Sequence, residues 1–384
     1  MSGLREYLQQ QLETIENASL RRTLRAPTGI DFVSNDYLGL SKSPELRTLT
    51  LAGAESAAIS APASRLLGGH LDEHRNLEER LAIFKGTESA LLFSTGYQAN
   101  LGVLSSLIGP HDRVLSDELN HASIIDGLRL TGARKVIYSH LDAAAVGAEL
   151  ATPWPQGRTF LVTESYFSMD GDVAPLRRLA DLAREHDAAF IVDDSHGTGV
   201  FGDERGSGAT EADGIASRCD AIVSTCGKAL AGFGAFVAAP RVVTDWLVNR
   251  ARSFIFTTAL PPLVLRLIGA GIDLCERGAD RRLAMHRLAD RLRDRLRAAG
   301  IDCLSSVGPI VPVVLGDNRV AVEVAAGLTA RGFDVRAIRP PSVAPGTARL
   351  RLAVHADHGD EVIDRLATEL LEIVDAVSAT PMAD

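Results

Sequence analysis

Thr159-Phe160-Leu161-Val162-Thr163-Glu164, then an amphipathic stretch over Leu176–Glu185, then Ala189-Phe190-Ile191-Val192-Asp193-Asp194, spells a strand, a helix and a second strand. Two short apolar runs joined through a helix imply parallel neighbours in a sheet covered on both faces. The same alternation extends outward. Residues 90–95, 113–117, 135–139, 221–226 and 235–238 also read as strands, with a helix over 97–108 between the first two. The fold class is therefore α/β, a mostly parallel sheet covered by helices. In such sheets ligands sit beyond the carboxyl ends of the strands, so chemistry is expected in the residues that follow each one.

Further along, residues 241–297 read as mainly helical. The arginine-rich part, 281–297, carries Leu288, Leu292 and Leu296 on one face, an apolar stripe beneath a solvated surface. After Gly300, strands near 310–315, 335–338 and 350–354 and helices over 320–330 and 359–377 suggest a smaller C-terminal α+β domain. The division expected is an N-terminal segment 1–40, a large α/β domain 41–280 and a small domain 281–384, with 378–384 a loose tail.

The chain has 384 residues, 46% hydrophobic and 23% charged, which excludes a disordered or collagenous protein. Forty basic against forty-nine acidic side chains give a net charge of −9, offering no general attraction to nucleic acid or to an anionic membrane. The uncharged stretch from Ser89 to Pro110 is broken by Ser94, Thr95, Gln98, Asn100, Ser105 and Ser106, which suits a buried strand–turn–helix better than a membrane span. The start, Met1-Ser2-Gly3-Leu4-Arg5-Glu6, lacks the apolar run of a signal peptide. Cys219, Cys226, Cys275 and Cys303 form no CxxC pair, so a cytoplasmic protein with reduced thiols is expected.

Three motifs invite other readings. Gly197-Thr198-Gly199-Val200-Phe201-Gly202 fits GxGxxG, the mark of an NAD-dependent oxidoreductase, but turn-forming residues follow where the fingerprint needs a helix. His70-Leu71-Asp72-Glu73-His74 has the order of a zinc-hydrolase motif, yet Gly68-Gly69 leave His70 in a loop and Asp72 and Glu73 suit a first helical turn. Asp193, Asp194 and His196 could ligate a metal only if the two carboxylates shared a face, which an extended strand forbids. No metal is expected.

Basic charge is nearly all arginine; the lysines are Lys42, Lys85, Lys135 and Lys228. Only these can supply a neutral amine. Lys228 is the sole charged residue between Asp220 and Arg241, so apolar surroundings should favour its neutral form. The other three lie near turns or charges and read as solvated. A Schiff-base lysine calls for an acid at the cofactor's pyridine nitrogen, a phosphate cradle, and a group against the ring. Asp193 ends one strand, Gly96-Tyr97 opens a helix after another, and His121 follows a third.

These motifs resemble the α-oxoamine synthases, fold-type I pyridoxal 5′-phosphate (PLP) enzymes that condense an amino acid with an acyl thioester and release carbon dioxide. The likeness runs from Ser34-Asn35-Asp36-Tyr37-Leu38-Gly39-Leu40 to Arg349-Leu350-Arg351-Leu352. Asp193-Asp194-Ser195-His196-Gly197-Thr198-Gly199 and Ile338-Arg339-Pro340-Pro341-Ser342-Val343-Ala344-Pro345-Gly346-Thr347 favour the branch that joins L-alanine to a pimeloyl thioester, on coenzyme A or a carrier protein, for biotin biosynthesis. The resemblance implies that Lys228 holds the cofactor and moves the alanine α-proton, Asp193 pairs with the ring nitrogen and His121 stacks on the ring. His196 and Ser168 would bond its phenolic oxygen, with His196 also reaching the thioester carbonyl. Gly96, Tyr97 and Thr225 would hold the phosphate. Asn35 and Arg351 would grip the amino-acid carboxylate, and Arg21 or Arg22 the acyl end. Phe256-Thr257-Thr258 resembles the segment that reaches a neighbouring subunit's phosphate, implying a homodimer.

The chain departs from that pattern in three places, one of them a short segment before Asn35, where Arg21 and Arg22 lie. Ser60-Ala61-Pro62-Ala63-Ser64-Arg65 replaces a commonly glycine-rich stretch, and Ala231 stands where relatives often carry glycine. The rival activities are the glycine-using sisters, 5-aminolevulinate synthase and glycine C-acetyltransferase, and, from another class, a zinc hydrolase through His70 and His74.

Overall fold

The computed structural model describes residues 3–56 and 58–378. Beyond Ser378, whose backbone closes the last helix, the expected tail lies outside the described residues. The chain divides into two compact units, one of Asn35–Ser168 with Asp172–Arg282, the other of Met1–Ser34, Met169–Gly171 and Leu283–Asp384. Of the segment 1–40 read from sequence as separate, the part up to Ser34 groups with the C-terminal region and the part from Asn35 with the larger unit.

The larger unit is built on seven strands: β1 (Ser89–Phe93), β2 (Arg113–Asp117), β3 (Arg134–Tyr138), β4 (Thr159–Glu164), β5 (Ala189–Asp193), β6 (Ala221–Thr225) and β7 (Ala235–Ala239). They lie in the order β1-β7-β6-β5-β4-β2-β3. All pairs are parallel except those of β7, which runs antiparallel to β1 and β6. Every residue of β1, β2, β4 and β7 is buried, the pattern of strands covered on both faces. One side packs Val103 and Leu104 of helix Gly96–Leu107 and Ile124 and Leu128 of helix Ala122–Arg129 against Leu91, Val114, Val162, Ile191 and Val223. Each such side chain contributes about 1.5–3 kcal/mol on burial. The edge strand β3 is mostly exposed and carries Arg134 and Lys135, charges that discourage pairing with another sheet.

Strand bounds fall within a residue or two of those read from sequence. The strand expected to include Asp194 stops at Asp193. After Gly202 the chain turns through a loop and the next helix is the short Ala209–Ala212, so no helix opens on the GxGxxG motif.

The smaller unit holds a three-stranded antiparallel sheet, with Ala348–Ala353 between Ala337–Ile338 and Ile310–Gly316. Leu288, Leu292 and Leu296 pack with Phe32, Val311, Val313, Leu328, Leu350, Leu352 and Leu366 in its core, so the leucine stripe faces inward as its spacing required. Ile30–Asp31 pairs with Phe333–Asp334 and carries Phe32 into this core. On the solvent side, Arg287 bonds Asp360 at 2.6 Å, and Arg291 and Arg295 both reach Asp364, at 2.5 and 2.9 Å. This ladder ties helix Ala279–Ala298 to helix Asp360–Ser378.

Candidate active site

The carboxyl ends of β4, β5 and β6 form one edge. Register pairs Glu164 with Asp193 and Asp193 with Val223, so both carboxylates lie in one row on the same face. Asp193 is buried; its Oδ2 accepts from Asn100 Nδ2 at 2.6 Å and its Oδ1 from the Ser195 N–H at 2.9 Å. Each oxygen keeps a lone-pair direction for one more donor. Asn100 also donates to Ser123 Oγ at 2.9 Å, and Ser123 Oγ lies 2.8 Å from His121 Nδ1. Since Nδ1 also accepts from the Ser123 N–H, the network assigns the neutral His121 its proton at Nε2. Burial disfavours protonation of His121; Asp193 opposes that and Lys228 adds to it, leaving the pKa below its ordinary value.

Asp194 goes the other way. Its Oδ1 accepts from Ser165 Oγ at 2.6 Å, and its Oδ2 from Thr210 Oγ1 at 2.8 Å and from Lys85 Nζ at 2.9 Å. Lys85 and Asp194 are both fully buried, and Lys85 also donates to Thr198 Oγ1 and to the Ser207 carbonyl. The solvated reading of Lys85 is therefore corrected: it is an interior cation whose three donors all have partners. The two aspartates have separate partners, although the strand ends at Asp193 and its alternation does not extend to Asp194.

Lys228 follows β6 and is half-buried. Its surroundings are less apolar than the sequence suggested, because its charge acts on both His121 and Glu164. Ala231 donates its N–H to the Lys228 carbonyl at 2.8 Å and has φ +49°, the left-handed region that costs a non-glycine residue about 1–2 kcal/mol. Glu164, missed in the sequence reading, is buried, and its carboxyl is raised well above the usual range by burial and then by Asp193.

Helix Gly96–Leu107 opens with Thr95 capping the Gln98 N–H at 3.2 Å, so Gly96 and Tyr97 head the helix where no intrahelical acceptor exists. A Cβ built on Gly96 would lie 3.8 Å from the Thr225 side chain, so these two positions adjoin. The Tyr97 phenol bonds Asp126. Thr257 accepts weakly from Gln98 Nε2 at 3.5 Å, and the carbonyl of Thr258 lies 3.5 Å from Ser94 Oγ. At the departure from the glycine-rich pattern, the Ala63 carbonyl accepts the Ala259 N–H at 2.9 Å, so the replaced stretch still makes a backbone contact.

His196 is buried, with Nδ1 2.8 Å from the Tyr37 hydroxyl. Tyr37, itself fully buried, donates to Asn35 Oδ1 at 3.0 Å. The hydroxyl has one hydrogen, so the Nδ1–H of His196 must donate to it. Tyr37 was missed because a tyrosine in an apolar run reads as core; the hydroxyl's two partners lie 2 and 159 positions away. Ser168 sits on the loop after β4. Arg351, buried on Ala348–Ala353, and the exposed Arg21, paired with Glu16 at 3.2 Å, belong to the smaller unit.

The zinc reading fails on geometry. His74 uses both ring nitrogens, accepting from the Leu71 N–H at 3.2 Å and donating to the Leu260 carbonyl at 3.0 Å, while His70 Nδ1 faces the Arg65 guanidinium at 2.8 Å. Burial, then Arg65, lower His74 to about 4.

The donor set suits PLP. A buried carboxylate with spare acceptor capacity answers a pyridinium, a helix start beside a threonine answers a phosphate, and Lys228 supplies the amine. Residues 27–370 match the family described as Aminotransferase class I and II. The chain is thus an α/β PLP-dependent transferase. It is 43% identical over 94% of its length to the 8-amino-7-oxononanoate synthase of Geobacter sulfurreducens, covering 96% of that protein. To the same enzyme of Methylococcus capsulatus it is 45% identical, over 90% of this chain and 89% of the relative. Among solved structures it is similar to Sphingomonas wittichii serine palmitoyltransferase, with 29% identity, TM-score 0.90 and 99% of each chain covered. It is also similar to Francisella tularensis 8-amino-7-oxononanoate synthase, with 28% identity, TM-score 0.78 and 91% of this chain and 98% of that one covered. The chain belongs to the 8-amino-7-oxononanoate synthases. No described helix is long and apolar enough to cross a membrane.

Proposed function

We propose that the chain joins L-alanine to the pimeloyl group of a thioester, giving 8-amino-7-oxononanoate, carbon dioxide and free thiol for biotin biosynthesis, as a cytoplasmic homodimer. PLP supplies an electron sink for the pair left when the alanine α-proton departs. Lys228 Nζ holds the cofactor aldehyde and then carries that α-proton. Asp193, fixed by Asn100 and the Ser195 N–H, keeps the ring nitrogen protonated, and His121, neutral and held by Ser123, packs on the ring. The N–H groups of Gly96 and Tyr97, with Thr225, bind the phosphate, and Thr257 and Thr258 reach that of the second subunit. Ser168 and His196 bond the phenolic oxygen.

Asn35 and Arg351 bind the alanine carboxylate, for which a planar guanidinium is suited. His196, anchored through Nδ1 to Tyr37, presents Nε2 to the thioester carbonyl; it can donate there only as the imidazolium, so protonated His196 is the form that assists condensation. Fixed dipoles and charges around the reacting carbon supply most of the rate gain.

The observation that carries this reading is the chain Asp193–Asn100–Ser123–His121 at the edge from which Lys228 extends. The test is borohydride reduction of the PLP-loaded protein followed by peptide mapping, with product assay on alanine, glycine or serine and pimeloyl-CoA. Label on Lys228 and 8-amino-7-oxononanoate from alanine are expected. Label elsewhere, or turnover of glycine in preference, overturns the assignment.

A further inference from the structure

The loop that carries Ser168 is closed by its own backbone. Phe167 donates its N–H to the Asp172 carbonyl at 2.9 Å, and Ala174 donates to the Ser165 carbonyl at 3.0 Å, with Tyr166 bridged to Val173 between them. Ser168 follows Phe167 directly, so whatever fixes Phe167 and Asp172 fixes the backbone from which its hydroxyl extends. One side chain touches both. His140, just past β3, meets the Phe167 ring edge to face with centroids 4.4 Å apart, and its Nε2 lies 3.1 Å from Asp172 Oδ2.

The other side of this imidazole is anchored. Nδ1 lies 2.9 Å from Asp117 Oδ1, which also accepts the Leu119 N–H at 2.9 Å, while Asp117 Oδ2 accepts the Leu141 N–H at 2.9 Å. The His140 N–H reaches Glu118 at 2.8 Å. An ionised carboxylate can only accept, so both ring nitrogens must donate and the ring is an imidazolium. Such charge-assisted bonds are about twice as strong as neutral ones. Both aspartates are buried, so water competes little for them. We propose that His140 is a positioning residue for the reaction: held by Asp117, it clasps Phe167 and Asp172 and so sets the Ser168 hydroxyl against the phenolic oxygen of PLP. That role for Ser168 belongs to the acyl-transfer reading above, on which the proposal rests. A hydroxyl that donates to the phenolic oxygen favours its ionised, visibly coloured form and the electron sink that goes with it; a displaced hydroxyl favours the uncoloured phenol.

The experiment compares the absorbance and steady-state kinetics of the holoenzyme in wild type, His140→Gln, Asp172→Asn, Ser168→Ala and His140→Gln combined with Ser168→Ala. His140→Gln should exchange part of the visible band of bound PLP for near-ultraviolet absorbance and lower kcat about tenfold, with KM for alanine unchanged. Asp172→Asn keeps an acceptor but loses its charge; it should move both readouts the same way by less, and it covers the case in which His140→Gln does not fold. The combined variant should match Ser168→Ala alone, because two residues acting through one hydroxyl are not additive. Additive losses overturn the proposal, as does a lower melting temperature with the band and kcat unchanged. So does a Ser168→Ala spectrum identical to that of wild type. If the wild type turns over no pimeloyl thioester, the acyl-transfer reading fails, while hydrogen exchange still judges the clasp. Deuterium uptake across residues 165–174 should rise in His140→Gln, and unchanged uptake there overturns it.

Discussion

Tyr37 joins two side chains given different work, Asn35 on the alanine carboxylate and His196 on the thioester, through one buried hydroxyl. Tyr37→Phe keeps the ring and its packing but leaves Nδ1–H of His196 and Oδ1 of Asn35 without this partner. An unsatisfied buried group costs about 1–3 kcal/mol. Steady-state kinetics should therefore show a higher KM for alanine together with a lower kcat, and a displaced His196 limb in the pH–rate profile. A purely structural tyrosine would lower the melting temperature and leave the profile in place. Asn100→Ala is the companion case. Asp193 would lose its 2.6 Å donor, and equilibrium dialysis should show weaker retention of PLP without a change in the amine that binds it.

Elements carry the ion pairs that hold these side chains in place. Lys85, the last residue of helix Asp72–Lys85, reaches Asp194 just past β5, so the helix end and the Asp193–His196 turn are fixed together. Lys85→Met leaves Asp194 buried without its cation, a change that typically costs about 3–5 kcal/mol. Denaturant titration should show that loss, and Lys85→Met combined with Asp194→Asn should recover part of it. His140 bridges Asp117, the last residue of β2, and Asp172, at 2.9 and 3.1 Å. Burial opposes its protonation, but the hydrogen bonds and charges of the two aspartates push it up to about 10. A pKa raised in the folded state adds stability in full below the unfolded value, about 6.5. That stability is lost as pH rises toward 10. Stability measured from pH 7 to 10 should fall, and His140→Gln should flatten the slope. The strands, the mostly parallel sheet and the residues after each strand were legible in the sequence because apolar runs and turns encode them locally. Lys85, Tyr37 and Glu164 were not, because their partners lie on other elements: a lysine beside a glycine turn gives no sign of an aspartate 109 positions away.

For the molecule as a whole, the scarcity of lysine is an experimental handle. Lys42 and Lys135 are exposed, Lys85 is sealed in its ion pair and Lys228 stands at the active site. Amine acetylation of PLP-free protein should modify Lys42, Lys135 and Lys228 and spare Lys85; loading PLP first should protect Lys228 alone, as read by peptide mass spectrometry. Modification of Lys85 in the folded state would contradict the buried pair. The arginine ladder between helices Ala279–Ala298 and Asp360–Ser378 has its own consequence. Arg291 and Arg295 hold Asp364 down at about 2, and a guanidinium keeps its charge throughout the acid range. During acidification this clasp should outlast carboxylates that protonate near 4. In vinegar-strength acid, with most other carboxylates neutralised, Asp364 and its two arginines would still be charged, a surface contact that adds little to stability.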